Sequence, residues 1–127
     1  MQLTKNFKKS EFDSKDGACM PNDVLQNISN LAKEVQVIRD ALGKSIVINS
    51  GYRSPAHNKK VGGVANSEHV QGKAADLNPQ GATPKQLYDL ILKLIAEGKI
   101  YNGGVGLYNT FVHYDIGGKG RRWDYRK

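Results

Sequence analysis

Cysteine is nearly absent: the 127-residue chain holds one, Cys19. An internal disulfide framework and a multi-cysteine zinc finger are therefore excluded. With no activating neighbour in the sequence, Cys19 reads as a structural or incidental thiol. Histidine is scarce too, at 3, so any imidazole chemistry must come from His57, His69 and His113. Long apolar runs are missing. No stretch approaches the ~20 apolar residues that span a membrane. The opening "MQLTKNFKKSEF" has no apolar run of signal-peptide length. The expectation is a protein made in a cytoplasm that needs a separate release step to act outside. Repeats, low-complexity stretches and Pro/Gly-rich linkers are also lacking, which fits one domain over residues 1–127.

Negative charge is in short supply. Lys plus Arg is 19 against 12 for Asp plus Glu, a net +7. Such a chain is drawn to polyanions: nucleic acid, anionic cell-wall polymers or bacterial outer surfaces. The tail "GKGRRWDYRK" gathers Lys119, Arg121, Arg122, Arg126 and Lys127, either as a surface-seeking patch or as a solvated terminus. Aromatics are not interleaved with basic residues outside "RRWDYRK", which argues against specific nucleic-acid recognition.

What is present is a series of well-marked elements. "PNDVLQNISNLAKEVQVIRDALG" predicts a helix capped by Asn22 or Asp23 and ended by Gly43. Val24, Leu25, Ile28, Leu31, Val35, Ile38 and Leu42 make its apolar face. Ile46, Val47 and Ile48 read as a buried strand. "SPAHNKKVGG" reads as a short helix with proline in its first turn. "KAADL" is a short strand, and "TPKQLYDLILKLIAEGK" a second long helix with Thr83 as cap. "GGVGLYN" and "TFVHYDIG" read as a hairpin turning near Asn109. The fold class is α+β, a small antiparallel sheet with helices packed on it. No apolar surface stripe is left over, so a monomer is expected.

The chemistry-bearing stretch is "NSEHVQGKAADLN", with His69 and Asp76 separated by small residues. In "TFVHYDI" a strand puts Phe111, His113 and Asp115 on one face and Val112, Tyr114 and Ile116 on the other. His69, Asp76 and His113 then form a two-histidine, one-carboxylate set. Zinc takes such ligands at about 2.0–2.2 Å and leaves a fourth position for water in catalytic sites. Non-haem iron oxygenases use the same donors, but usually inside a larger β-barrel, of which nothing here gives a sign. His57 reads as a solvated helix residue or as a residue of the cleft rim.

The string "SGYRSPAHNKKVGGVANSEHVQGKAADL", with "GGVGLYNTFVHYDI" and a late "RRW", resembles the zinc D-Ala-D-Ala carboxypeptidase family of peptidoglycan peptidases. Ser67, His69, Gly72, Ala74 and Asp76 meet the pattern Ser-x-His-x-x-Gly-x-Ala-x-Asp, with His113 as the later histidine. The resemblance implies a fold shared with the hedgehog signalling domain and Zn2+ held by His69, Asp76 and His113. It implies peptidoglycan peptides with D-amino acids as substrate, trimmed by a carboxypeptidase or cut at L-Ala-D-Glu by an endopeptidase. A phage or prophage endolysin, made in the bacterial host cytoplasm and acting on the wall after release, suits the size and charge. Arg53 matches a family arginine near the reacting carbonyl, as an oxyanion or carboxylate partner. Ser67 is a candidate for substrate contact, for orienting a ligand, or simply for capping its loop. Many relatives carry an acid three residues before the last zinc histidine, where this chain has Thr110. That leaves Asp115 as candidate catalytic base, or as the partner that orients a ligand histidine. Glu68 is a poorer candidate, since adjacent residues usually point apart. The competing reading is a catalytically silent zinc-containing binding module.

Overall fold

The computed structural model describes residues 1–64, 67–118 and 120–127. Ala65, Asn66 and Lys119 lie outside the described residues. In chain order the elements are α1 (Asn22–Leu42), β1 (Ile46–Ser50), α2 (Pro55–Lys60), β2 (Ala74–Pro79), α3 (Pro84–Ala96), β3 (Val105–Leu107), β4 (Val112–Asp115) and β5 (Arg122–Asp124). A short 3-10 turn, Lys9–Phe12, precedes them. No described helix is long and apolar enough to cross a membrane.

Local chemistry explains the helices. Thr83 caps α3 reciprocally: its hydroxyl accepts from the Gln86 N–H at 3.1 Å, and the Gln86 side chain accepts from the Thr83 N–H at 2.8 Å. Pro84 follows at the first turn, where its missing N–H costs nothing. α1 departs from expectation at its start. The cap position is Pro21, with no side-chain cap bond, and Asn22 already lies in the helix. Proline's fixed φ sets the extended entry there, at −60°.

The sheet order is β1-β2-β4-β3-β5. Neighbours are antiparallel except β3 and β5, which run parallel. A fifth strand, not read from the sequence, joins the basic tail to the sheet, while its arginines stay exposed to solvent. Arg122 is fixed by the Gly103 carbonyl at 2.8 Å and the Asn102 side chain at 2.6 Å, and Arg126 pairs with Asp124 at 2.7 Å.

Alternation divides the sheet into two faces. Ala75, Leu77, Val105, Leu107, Val112 and Tyr114 point into the core with Val24, Ile28, Leu31, Val35 and Ile38 of α1 and Leu87, Ile91 and Leu94 of α3. Burying each large aliphatic side chain contributes about 1.5–3 kcal/mol, which fixes this register. The opposite face then carries the cross-strand row that holds the site. Ser50 pairs with Asp76, Asp76 with His113, His113 with Gly106, and Gly106 with Trp123. Register on the core side therefore dictates which residues meet on the open side.

Candidate metal centre and cleft

Asp76 and His113 are direct cross-strand partners, so their side chains start a few ångströms apart. His69 arrives from the turn before β2. Gly72 ends that turn at φ +73°, where a Cβ would lie 2.7 Å from Val24 of α1. Only glycine suits both the left-handed backbone and the close approach. The turn is tightened by the Ser67 hydroxyl, which accepts from the His69 N–H at 3.1 Å, and by the Arg53 N–H, which donates to the His69 carbonyl at 3.0 Å.

The three donors converge. His69 Nε2 lies 3.4 Å and His113 Nδ1 3.2 Å from Asp76 Oδ1. One donor atom of each residue lies within 4.8 Å of the others. Donors ~2.1 Å from a tetrahedral centre stand roughly 3.4 Å from one another, so the spacing fits a small divalent cation. The tautomers fit as well. The Gly51 carbonyl can only accept, so His69 Nδ1 donates to it at 2.8 Å, which leaves Nε2, facing Asp76, to hold a proton or a metal. Likewise His113 Nε2 donates to Asp115 Oδ2 at 2.8 Å, which leaves Nδ1 facing Asp76.

The electrostatics are those of a cation-seeking site. Burial pushes the Asp76 carboxyl up, but hydrogen bonds from His113 and His69 and their charges outweigh it and hold the group well below the usual carboxylate range. Burial pushes His113 down, while its bonds to Asp115 and Asp76 prevail and raise it. Asp115 is opposed by burial and yet held low by His113 and the Gly104 N–H. Two acids thus bracket one imidazole, and a metal would take the place of a proton there.

These residues line a cleft of about 790 Å3. Arg53 lies in it, with one guanidinium nitrogen 3.5 Å from Asp76 Oδ2 and Nε donating to the Ser50 hydroxyl at 3.2 Å. Ser67 lines it too. Asp115 does not. It is 2% exposed, and its Oδ1 accepts from Gly104 and Gly117 N–H groups at 2.9 and 3.1 Å while Oδ2 holds His113. Of the two roles open for Asp115, this geometry serves the orienting one. Thr110 is exposed on the β3–β4 turn and has no place in the cleft lining. His57 sits in the first turn of α2, also outside that lining, and Cys19 is exposed.

Two features escaped the sequence. Glu68 lines the cleft beside His69, because both occupy a turn, where adjacent side chains need not diverge. The far wall is aromatic: Tyr108 stacks on Phe111 at 4.4 Å, and Trp123 lies 5.1 Å from the His113 ring. Trp123 reaches His113 because Gly106 stands between them; a Cβ there would come within 2.2 Å of the indole. The available signal was the aromatic spacing in "RRWDYRK" opposite "LYNTF".

Comparison with known proteins agrees with this centre. The chain is 38% identical over 93 residues to a zinc D-Ala-D-Ala carboxypeptidase of Streptomyces albus G, in an alignment covering 71% of this chain. The chain spans only 35% of that relative's length. Residues 3–115 match the Peptidase M15 family, to which this chain belongs.

Proposed function

We propose that this chain is a zinc-dependent peptidase acting on peptidoglycan peptides that contain D-amino acids, as a carboxypeptidase or an endopeptidase. The observation that carries the reading is the convergence of His69 Nε2, His113 Nδ1 and Asp76 Oδ1 on one point at the floor of an open cleft. The similarity to a zinc D-Ala-D-Ala carboxypeptidase supports both the metal and the substrate class. Bound there, zinc supplies a Lewis acid that polarises a peptide carbonyl and acidifies water.

The chain's own residues do the rest. His69, Asp76 and His113 hold the metal. The Gly51 carbonyl and Asp115 fix the two imidazoles in the binding tautomer. Asp115 acts through His113 and is a positioning residue. Arg53, braced by Ser50, presents a guanidinium to a substrate carboxylate or to charge developing on the carbonyl oxygen. Ser67 secures the His69 turn and offers its hydroxyl to the cleft. The aromatic wall of Tyr108, Phe111, Trp123 and Tyr125 covers the opposite side of an extended peptide. A phage or prophage lysin is the setting we propose, since the net charge of +7 favours contact with anionic wall polymers.

The test is mass spectrometry of purified stem and cross-linked peptides after incubation, with and without a chelator. Chelator-sensitive loss of a terminal alanine assigns a carboxypeptidase, and an internal cut assigns an endopeptidase. A metal-loaded chain that cuts neither would contradict the reading and leave a binding module.

A further inference from the structure

Residues 51–54 run from the end of β1 to the start of α2, and their backbone bonds alternate in direction. The Gly51 carbonyl and the Arg53 N–H face His69, at 2.8 and 3.0 Å. The Tyr52 and Ser54 N–H groups face residues 12–16 instead. Tyr52 donates to the Phe12 carbonyl at 2.8 Å, and Ser54 to the Ser14 hydroxyl at 3.1 Å. Gly51 lets the two segments close up, since a Cβ there would lie 2.8 Å from the Phe12 Cα. Residues 12–16, which have no place in the cleft lining, thus brace the stretch that carries Arg53 from behind.

Asp16 sets how that brace is wired. A hydroxyl has one proton to give. Ser14 gives its proton to Asp16 Oδ1 at 2.7 Å, and Ser54 gives its own to Oδ2 at 2.6 Å. Each hydroxyl oxygen is then left to accept a backbone N–H. Ser14 takes that of Ser54, and Ser54 takes that of His57 at 3.1 Å, which caps α2. Both serines are buried, while Asp16 is exposed. One carboxylate serves both hydroxyls, through charge-assisted bonds roughly twice as strong as neutral ones. Two routes lead from Ser54 to Arg53. The first is the peptide bond between them. The second is α2, where the Asn58 N–H donates to the Ser54 carbonyl at 2.9 Å. The Asn58 side-chain nitrogen donates to the Val64 carbonyl at 2.7 Å, so its Oδ1 faces Arg53 Nη1, at 3.4 Å.

We propose that Asp16 is a positioning residue for Arg53, acting through Ser14 and Ser54 from outside the cleft to hold the guanidinium where a substrate meets it. It rests on the peptidase reading only for the substrate being a peptide. The test compares the parent, Asp16→Ala, Arg53→Ala and the double variant as zinc-loaded full chains, each at a temperature where circular dichroism shows it folded. The readout is kcat/KM on a stem peptide, or the Kd for that peptide where none is cut. Asp16→Ala should lower it about tenfold while Arg53 is present, as a displacement short of ~1 Å would. Once Arg53 is gone the same change should cost less than about twofold, because the two residues act as one unit. Zinc Kd should stay within about twofold of the parent, since both ligand imidazoles keep their own partners. A readout that needs no peptide is the Arg53 Nε proton, which donates to Ser50 at 3.2 Å. By NMR it should exchange with water faster in Asp16→Ala. Asp16→Asn is the milder variant. It can still accept the Ser14 proton but turns an NH2 toward Ser54, so it should lose less than alanine does. If the parent cuts nothing, the peptidase reading falls, while the Kd ratio and the exchange rate still settle the role of Asp16. An equal loss with and without Arg53, or a zinc affinity that falls along with activity, marks a general loosening and overturns the proposal. So does parent-like turnover or peptide affinity in both Asp16 variants, or an unchanged Arg53 exchange rate in Asp16→Ala.

Discussion

Asp115→Asn isolates the link between second carboxylate and metal. In the native chain Asp115 Oδ2 accepts from His113 Nε2 at 2.8 Å, and Oδ1 accepts from the Gly104 and Gly117 N–H groups. An asparagine keeps the second pair of bonds only by placing its amide oxygen on the Oδ1 side. Its NH2 then faces His113 Nε2, donor against donor. The ring responds by moving its proton to Nδ1, the nitrogen 3.2 Å from Asp76 Oδ1 that must donate to the metal. Binding then requires the disfavoured tautomer. Removal of such partners costs about 10–100-fold in metal affinity, or about 1.4–2.7 kcal/mol. The assay is competition with a chromogenic chelator at fixed pH. A zinc Kd within about twofold of the parent would refute the reasoning. If turnover nonetheless disappeared, Asp115 would be handling a proton of the reaction itself.

Two further perturbations test the frame around the site. Gly106→Ala places a methyl where 2.2 Å separates it from the indole, so Trp123 must leave His113. Overpacking of this kind costs about 1–3 kcal/mol. Thermal unfolding should fall accordingly, and the emission of the chain's single tryptophan should change; a variant with the parent's midpoint and spectrum would contradict the row of contacts. Asp16 receives the Ser54 and Ser14 hydroxyls at 2.6 and 2.7 Å, and with the Ala18 N–H they hold its carboxyl down at about 2 against an ordinary 3.8. Its stabilisation is present above the ordinary value and lost as pH falls toward the folded one. Chelator-treated Asp16→Asn should be less stable than the parent at neutral pH, with the gap closing between about pH 4 and pH 2. A gap independent of pH across that window would refute the assignment.

Much of this was legible in the sequence, for reasons that can be named. The α1 and α3 stripes follow a helical period, and Thr83-Pro84 announces a helix start chemically. The strand period alone put His113 and Asp115 on one face, and their hydrogen bond confirms it. What was not legible depends on registers between distant strands. Nothing local says that Trp123 pairs across Gly106 with the row holding His113, because the parallel β3–β5 pairing is set by packing elsewhere. The tail's arginines are exposed, as a charged tail suggests, but the strand that the tail forms was not legible. Their partners, Gly103, Asn102 and Asp124 among them, are fixed only by the fold. That Glu68 lines the cleft beside His69 was not legible, because the alternation of a strand does not govern a turn.

The most direct test of the metal centre is the zinc content of the folded chain, measured by elemental mass spectrometry beside His69→Ala, Asp76→Asn and His113→Ala. The three donors predict about one tightly held zinc per chain, lost in each variant while the circular dichroism spectrum is retained. Full zinc retention in any of the three variants, or a folded parent that takes up none from excess zinc, would contradict it.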